Sequence, residues 1–178
     1  MMKKSGLVTV ALTLLAAVPA FAAGSANTNV AVSASIANNC TISNAAVALG
    51  AYDPIVTNLA SPLNGSGTVT ITCTKGAVTN VSIGLGTHAS ASQRRMSDGA
   101  TTPSLMNYEL YQPPDNTPGT ACSYSSPVVW GTSGVNLFNP ATAPSKAART
   151  YNICGQVAGG QDLPAGSYTD TVSAVVNF

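Results

Sequence analysis

The segment Thr68-Val69-Thr70-Ile71-Thr72-Cys73 constrains this chain more than any other feature. Its apolar residues recur every second position, so Val69, Ile71 and Cys73 share one face and the threonines the other. That is the period of a half-buried strand, and it is incompatible with one apolar stripe on a helix. The same period recurs at Val30, Val32, Ala34 and Ile36, and again at Val172, Ala174, Val176 and Phe178. Further strands are expected at Cys40–Ile42, 78–85, Tyr108–Tyr111, 128–131 and 149–157. A short apolar piece at 46–49 ends at Gly50.

Between these runs stand turn signals. Residues 53–67 contain Asp53-Pro54, Ser61-Pro62 and Asn64-Gly65-Ser66-Gly67, and read as loop or short edge structure. Lys75-Gly76 and Pro164-Ala165-Gly166 read as turns, 86–104 as polar and irregular, and the proline-rich run 113–119 as loop. Seven or eight short strands without a convincing helix predict an all-β sandwich. Composition agrees. Charged residues are 7% of the chain, against roughly a quarter in typical globular proteins. Strand edges with few charges readily pair with other chains.

Residues 1–22 read as an export signal. Met1-Met2-Lys3-Lys4 is the positive n-region, Leu7–Val18 the apolar stretch, and Ala20-Phe21-Ala22 the cleavage site. The apolar stretch is too short to span a bilayer, and no later stretch is long enough to do so. Removing these 22 of 178 residues leaves 156, one domain's worth. It also removes two of seven basic residues, leaving five against six acidic ones. No basic surface remains to hold nucleic acid or an anionic membrane.

Cys40, Cys73, Cys122 and Cys154 follow the export signal, so two disulfides are expected. Four cysteines allow three pairings. Cys40–Cys73 and Cys122–Cys154 are preferred, because each joins segments read as neighbouring strands. Each would close a loop of about thirty residues, worth on the order of 3–4 kcal/mol. Zinc lacks its usual spacing: there is no CxxC and only one histidine, His88.

The two ends of the mature chain complement each other. The strand 168–178 carries an apolar face through to Phe178. Residues 28–37 alternate cleanly but are set off from Cys40 by Asn38-Asn39. One reading makes residues 23–37 an extension that completes a neighbouring copy, with 38–178 the domain that receives it. β-strand addition of this head-to-tail kind grows an open fibre. The other reading makes 28–37 the first strand of a complete sandwich in its own domain. Alternation alone does not say which chain the strand joins.

No catalytic, cofactor or metal site is expected. His88 reads as a solvated loop residue, and Gly131-Thr132-Ser133-Gly134 lacks nucleophile-elbow spacing. The acids Asp53, Asp98, Glu109, Asp115, Asp162 and Asp170 are scattered. Asp170 reads as a structural hydrogen-bonding group, Gly84-Leu85-Gly86 as no nucleotide fingerprint, and Arg94-Arg95 as solvated loop charges. Trp130, Tyr108, Tyr111 and Tyr124 read as core aromatics in preference to a sugar platform.

Four stretches also resemble a known family: Cys40-Thr41-Ile42 after an alternating segment; Thr68–Cys73; Tyr108-Glu109-Leu110-Tyr111 followed by Trp130-Gly131; and Tyr151–Gly155 followed by Pro164–Val172. Together they resemble the spore coat protein U domain, which includes subunits of archaic, Csu-type chaperone–usher pili. The resemblance implies an incomplete immunoglobulin-like sandwich completed by donor-strand exchange. It implies a donor strand bearing Val30, Val32, Ala34 and Ile36. Val172, Ala174, Val176 and Phe178 would border the acceptor groove and bind the chaperone. The partners implied are copies of itself, related pilins, a periplasmic chaperone and an outer-membrane usher. The destination is the periplasm, then the cell surface, in adhesion and biofilm formation. Cys40–Cys73 fits a disulfide expected in many such domains. A tip adhesin would need a second domain, so a shaft or minor subunit is implied. The competing expectations are a secreted coat or surface-layer protein with a self-complete sandwich, and a carbohydrate-binding module.

Overall fold

The computed structural model describes residues 23–178. The export signal expected at 1–22 lies outside the described residues. The chain divides into two units, one ending at Ser35 and one spanning Ile36–Phe178. In the first, residues 23–35 carry no regular secondary structure and are exposed throughout. The compact unit begins two residues before the expected boundary at 38.

Seven strands make up the compact unit: β1 (Cys40–Ala48), β2 (Leu63–Cys73), β3 (Asn80–Ile83), β4 (Arg94–Ser97), β5 (Leu105–Tyr111), β6 (Arg149–Val157) and β7 (Ala174–Asn177). One 3-10 turn, Gly134–Asn136, is added. Five strands form an antiparallel sheet in the order β1-β2-β6-β5-β4, and β3 and β7 pair in a second, two-stranded sheet. The result is an all-β sandwich whose second sheet is short.

The core follows from the alternation. Val69, Ile71 and Cys73 of β2 are buried, as are Tyr151, Ile153 and Val157 of β6 and Val81 and Ile83 of β3. Trp130 is fully buried and donates its indole N–H to the Val81 carbonyl at 2.9 Å. Phe138 stacks between Trp130 and Tyr151, with ring centroids 5.0 Å from each. Both disulfides have the expected pairing. Cys40–Cys73 bridges β1 and β2 directly, whereas Cys122 lies in the irregular segment between β5 and β6 and ties it to β6.

The structure corrects several expectations. β2, an inner strand of the sheet, begins at Leu63, inside a stretch read as loop or short edge structure. Gly65 and Gly67 there are not turn residues. A Cβ on Gly65 would stand 2.2 Å from the Ala48 carbonyl oxygen, and one on Gly67 2.8 Å from that of Ala45. The glycines make room for the irregular register between Ala45 and Ala48, where β1 closes over β2. Residues 128–131 form no strand; Val129 makes a single bridge to Tyr111. The strand expected at 78–85 shortens to β3.

The correction with the largest energetic consequence is Arg94. It is not a solvated loop charge but a fully buried residue of β4. Its guanidinium pairs with Glu109 and donates to the carbonyls of Ile83, Gly84 and Trp130, so every polar edge is satisfied. A buried cation is tolerated on that condition. It fastens β4, at the edge of the large sheet, to the end of β3 in the small one.

Candidate functional site

β7 is paired on one side only. The Gly84 N–H donates to the Ser173 carbonyl at 2.8 Å, and β7 continues in that register against β3. Antiparallel pairing sends a residue's N–H and C=O to the same side, alternating along the strand. Ser173, Val175 and Asn177 therefore turn their polar groups to β3. Those of Val172, Ala174 and Val176 face the opposite edge, where they have no backbone partner among the described residues. Upstream, Thr169 exchanges two 2.9 Å hydrogen bonds with Ser97 of β4. The segment thus crosses from the edge of the large sheet to the small sheet, keeping one edge open throughout.

Across from that open edge runs β1, the last strand of the large sheet. Between them lies a concavity of about 410 Å³, walled by Ile42–Val47 on one side and by Tyr168–Val172 and Ala174 on the other. Ile83, Tyr108, Leu110 and Ile153 form its floor. It runs into a second concavity of about 580 Å³, lined by Tyr52, Leu63, Met106, Val157 and Leu163 among others. Val47, Leu49, Met96 and Tyr168 line both, so the two form one groove. Twelve apolar side chains pack against the core while only half-buried, and ten of them line this groove; Cys40 and Val176 are the exceptions. The core of this sandwich is therefore open along this seam.

Asp170 holds one wall in place. Its side chain is only 2% exposed. The carboxylate accepts from the Thr87 hydroxyl (2.7 Å), the Tyr108 hydroxyl (2.7 Å), and the amides of Thr171 (2.8 Å) and Thr87 (2.9 Å). His88 Nδ1 lies 3.2 Å away. Burial pushes the Asp170 carboxyl up, but these hydrogen bonds outweigh it and hold the group below the ordinary carboxylate range. Burial, then the bond and charge of Asp170, raise the Tyr108 phenol well above its usual value. Gly86, at φ +95°, makes the approach possible, since a Cβ there would stand 1.9 Å from an Asp170 oxygen. The cluster anchors the strand: the Thr87 hydroxyl donates directly to the carboxylate, and His88 Nδ1 also lies 3.1 Å from that hydroxyl. His88, expected as a solvated loop residue, is instead half-buried against it.

Among the expected site residues, Val172 and Ala174 line the groove, Val176 packs on the core beside it, and Phe178 is exposed. Val30, Val32 and Ile36 are exposed, the last two at 91% and 88%; Ala34 is exposed as well. The β1 wall and the Leu49–Met96–Tyr168 waist were not foreseen; the short apolar run at 46–49 was their only trace. Trp130 and Tyr108 are buried and offer no sugar platform. Among the described residues, no group of three or more His, Cys, Asp or Glu is placed to hold a metal ion, and no helix is long and apolar enough to cross a membrane.

Fold and groove together define an antiparallel sandwich with one unpaired strand edge beside an apolar cleft. The chain matches the Spore Coat Protein U domain over residues 26–175 and belongs to that family. It is 32% identical to "Protein U" of Myxococcus xanthus over 184 aligned positions, covering 96% of this chain and 94% of that protein. Among solved structures it is similar to a chain of the CsuC–CsuE chaperone–tip adhesion subunit pre-assembly complex from the archaic chaperone-usher Csu pili of Acinetobacter baumannii (23% identity, TM-score 0.48, 80% of this chain). It spans 40% of that chain's length. A more distant likeness is the E. coli Hda pilus minor tip subunit HdaB (19% identity, TM-score 0.38, 76% of this chain and 79% of that one).

Proposed function

We propose that this protein is a structural subunit of a bacterial surface fibre, exported to the periplasm and assembled by a chaperone and an outer-membrane usher. Residues 23–37 of one copy serve as the donor strand for the groove of the next. The observation that carries this reading is the seam itself. Ten half-buried apolar side chains and a row of unpaired backbone groups converge where one added strand satisfies both. Residues 30–36 have the matching chemistry, with aliphatic side chains at every second position. Burying Val30, Val32 and Ile36 contributes roughly 1.5–3 kcal/mol each, before any hydrogen-bond ladder is counted. Before assembly, the chaperone covers the same edge of β7.

Fibre assembly of Val32→Asp and Ile36→Asp subunits, each purified as the chaperone complex, tests this. Both variants are expected to bind chaperone normally and to form no polymer. Fibres of normal length from both would remove residues 23–37 from the donor role.

A second reading is a coat protein that acts without a fibre. The 32% identity to Protein U across almost the whole chain favours it. It predicts a stable, compact monomer once the chaperone is gone.

A further inference from the structure

The compact unit has two ends of unlike character. In the large sheet, Cys40 lies opposite Cys73 and Ile71 opposite Arg149 at one end, while Leu63 lies opposite Val157 at the other. The first is the stem end, because Asn39 leads from it into residues 23–38 and is held there by Thr74. The Thr74 N–H donates to the Asn39 carbonyl at 2.9 Å, and the Asn39 N–H donates to Thr74 Oγ1 at 3.0 Å. The stem end also carries the Lys75–Val78 turn and, beside it, the segment holding Lys146, fixed by hydrogen bonds between Ala143 and both Gly76 and Ala77. The far end carries the loop 53–59 and the segment 158–167, joined by the Gly160 N–H to the Asn58 carbonyl at 2.9 Å.

The far-end loop displays apolar side chains on a rigid frame. Ile55 and Val56 are 76% exposed and Leu59 63%. The Asp53 carboxylate accepts from the amides of Ile55, Val56 and Thr57 at 3.0–3.3 Å, and buried Asn58 ties the loop to Asp53 and Ser61. Such a patch is ordered before anything binds it, which lowers the entropy cost of contact. Pro54, within the same loop, lines the wider half of the groove, so the patch continues the groove's mouth. At the stem end Val78 is 71% exposed. The charges oppose each other too. Lys75, Lys146 and Arg149 at the stem end stand against Asp115, while Asp53, Asp98 and Asp162 at the far end stand against Arg95. The ends therefore carry net charge of opposite sign.

We infer that the far-end loop Ile55-Val56-Leu59 is a second docking surface whose occupant is the stem end of the next copy, at Lys75–Val78. This rests on the fibre reading above and adds a body-to-body contact to its strand joint. A stem-to-stem joint would bring like charges together, leave the far-end patch uncovered and close reciprocally at two copies instead of growing. A membrane is the wrong occupant, because the patch is bordered by acids and lacks the basic rim such surfaces use.

The test introduces Leu59→Cys into one full-length population and Val78→Cys into another, co-assembles them and oxidises mildly. Unheated gels report strand exchange as a ladder; heated, non-reducing gels report the new disulfide as a dimer. Because the two positions lie at opposite ends of a subunit, the cross-link forms only between copies. The expected result is a ladder with dimers, the dimers being lost in a Leu59→Cys population that also carries Ile55→Asp. A ladder without dimers overturns the second surface and leaves the fibre reading standing. Absence of any ladder in the unsubstituted protein overturns the fibre reading, and this inference with it.

Discussion

β6 and β7 are alike as sequence and unlike as structure. Both alternate apolar residues, and both put an apolar face on the same core. β6 lies between β2 and β5, paired along both edges, and most of its residues are buried. β7 pairs with β3 alone, and its inward residues, Ala174 and Val176, are only half-buried. The difference is not hydrophobicity but the count of neighbours. A strand with two neighbours has its backbone and side-chain demands met within its own domain. A strand with one neighbour keeps half of both in reserve. Substitutions on the closed side should therefore cost folding, and those on the open side should cost assembly.

The largest effect is expected at the clamp that holds the closed side to β3. Arg94→Ala leaves three carbonyls without their donor and the Glu109 carboxylate with only the Leu110 N–H, and should lower stability by about 3–5 kcal/mol in urea unfolding. Next comes the staple on β6. Replacing Cys122 and Cys154 with serine and alanine should cost about 2–4 kcal/mol by the same measurement. Gly86→Ala strikes the anchor of the open strand. It demands a left-handed backbone from alanine and drives its Cβ into Asp170, so a loss of about 1–3 kcal/mol is expected, with weakened chaperone capture.

Acid should loosen the same anchor. Asp170 is held below its unfolded value of 3.8, so its contribution is fully present above that value and is lost as pH falls through the lower, folded one. Urea midpoints of the parent should drop across this window, whereas Asp170→Asn should start lower and flatten. The smallest effect is expected at Val175, whose side chain is exposed on the outer face of β7. Val175→Thr should change stability by less than about 0.5 kcal/mol and leave assembly intact. If Val175→Thr proves as damaging as Gly86→Ala, the distinction between the faces of β7 fails.

The strands buried on both edges were legible in the sequence: β6 has the bounds its pattern predicts, and Val69, Ile71 and Cys73 face the core as alternation requires. Legibility failed where tertiary contact redefined a local signal. Asn64-Gly65-Ser66-Gly67 has turn composition, yet its glycines lie within a strand because β1 passes so close. Arg94 begins a strand, a role no hydropathy pattern marks for a charged residue; only its partners explain its burial. The groove was half legible. Its β7 wall follows from the period at 172–178, but the waist is drawn from Leu49, Met96 and Tyr168, distant in sequence and joined only by the fold.

The most direct test compares residues 23–178 with residues 38–178, each purified with its chaperone, released, and weighed by light scattering. Long head-to-tail polymers are expected from the first and none from the second. Full-length Val32→Asp should behave like the truncation. Stable, compact monomers from both lengths would contradict the fibre reading, because a sandwich that persists alone has no unfilled seam for a neighbour's strand.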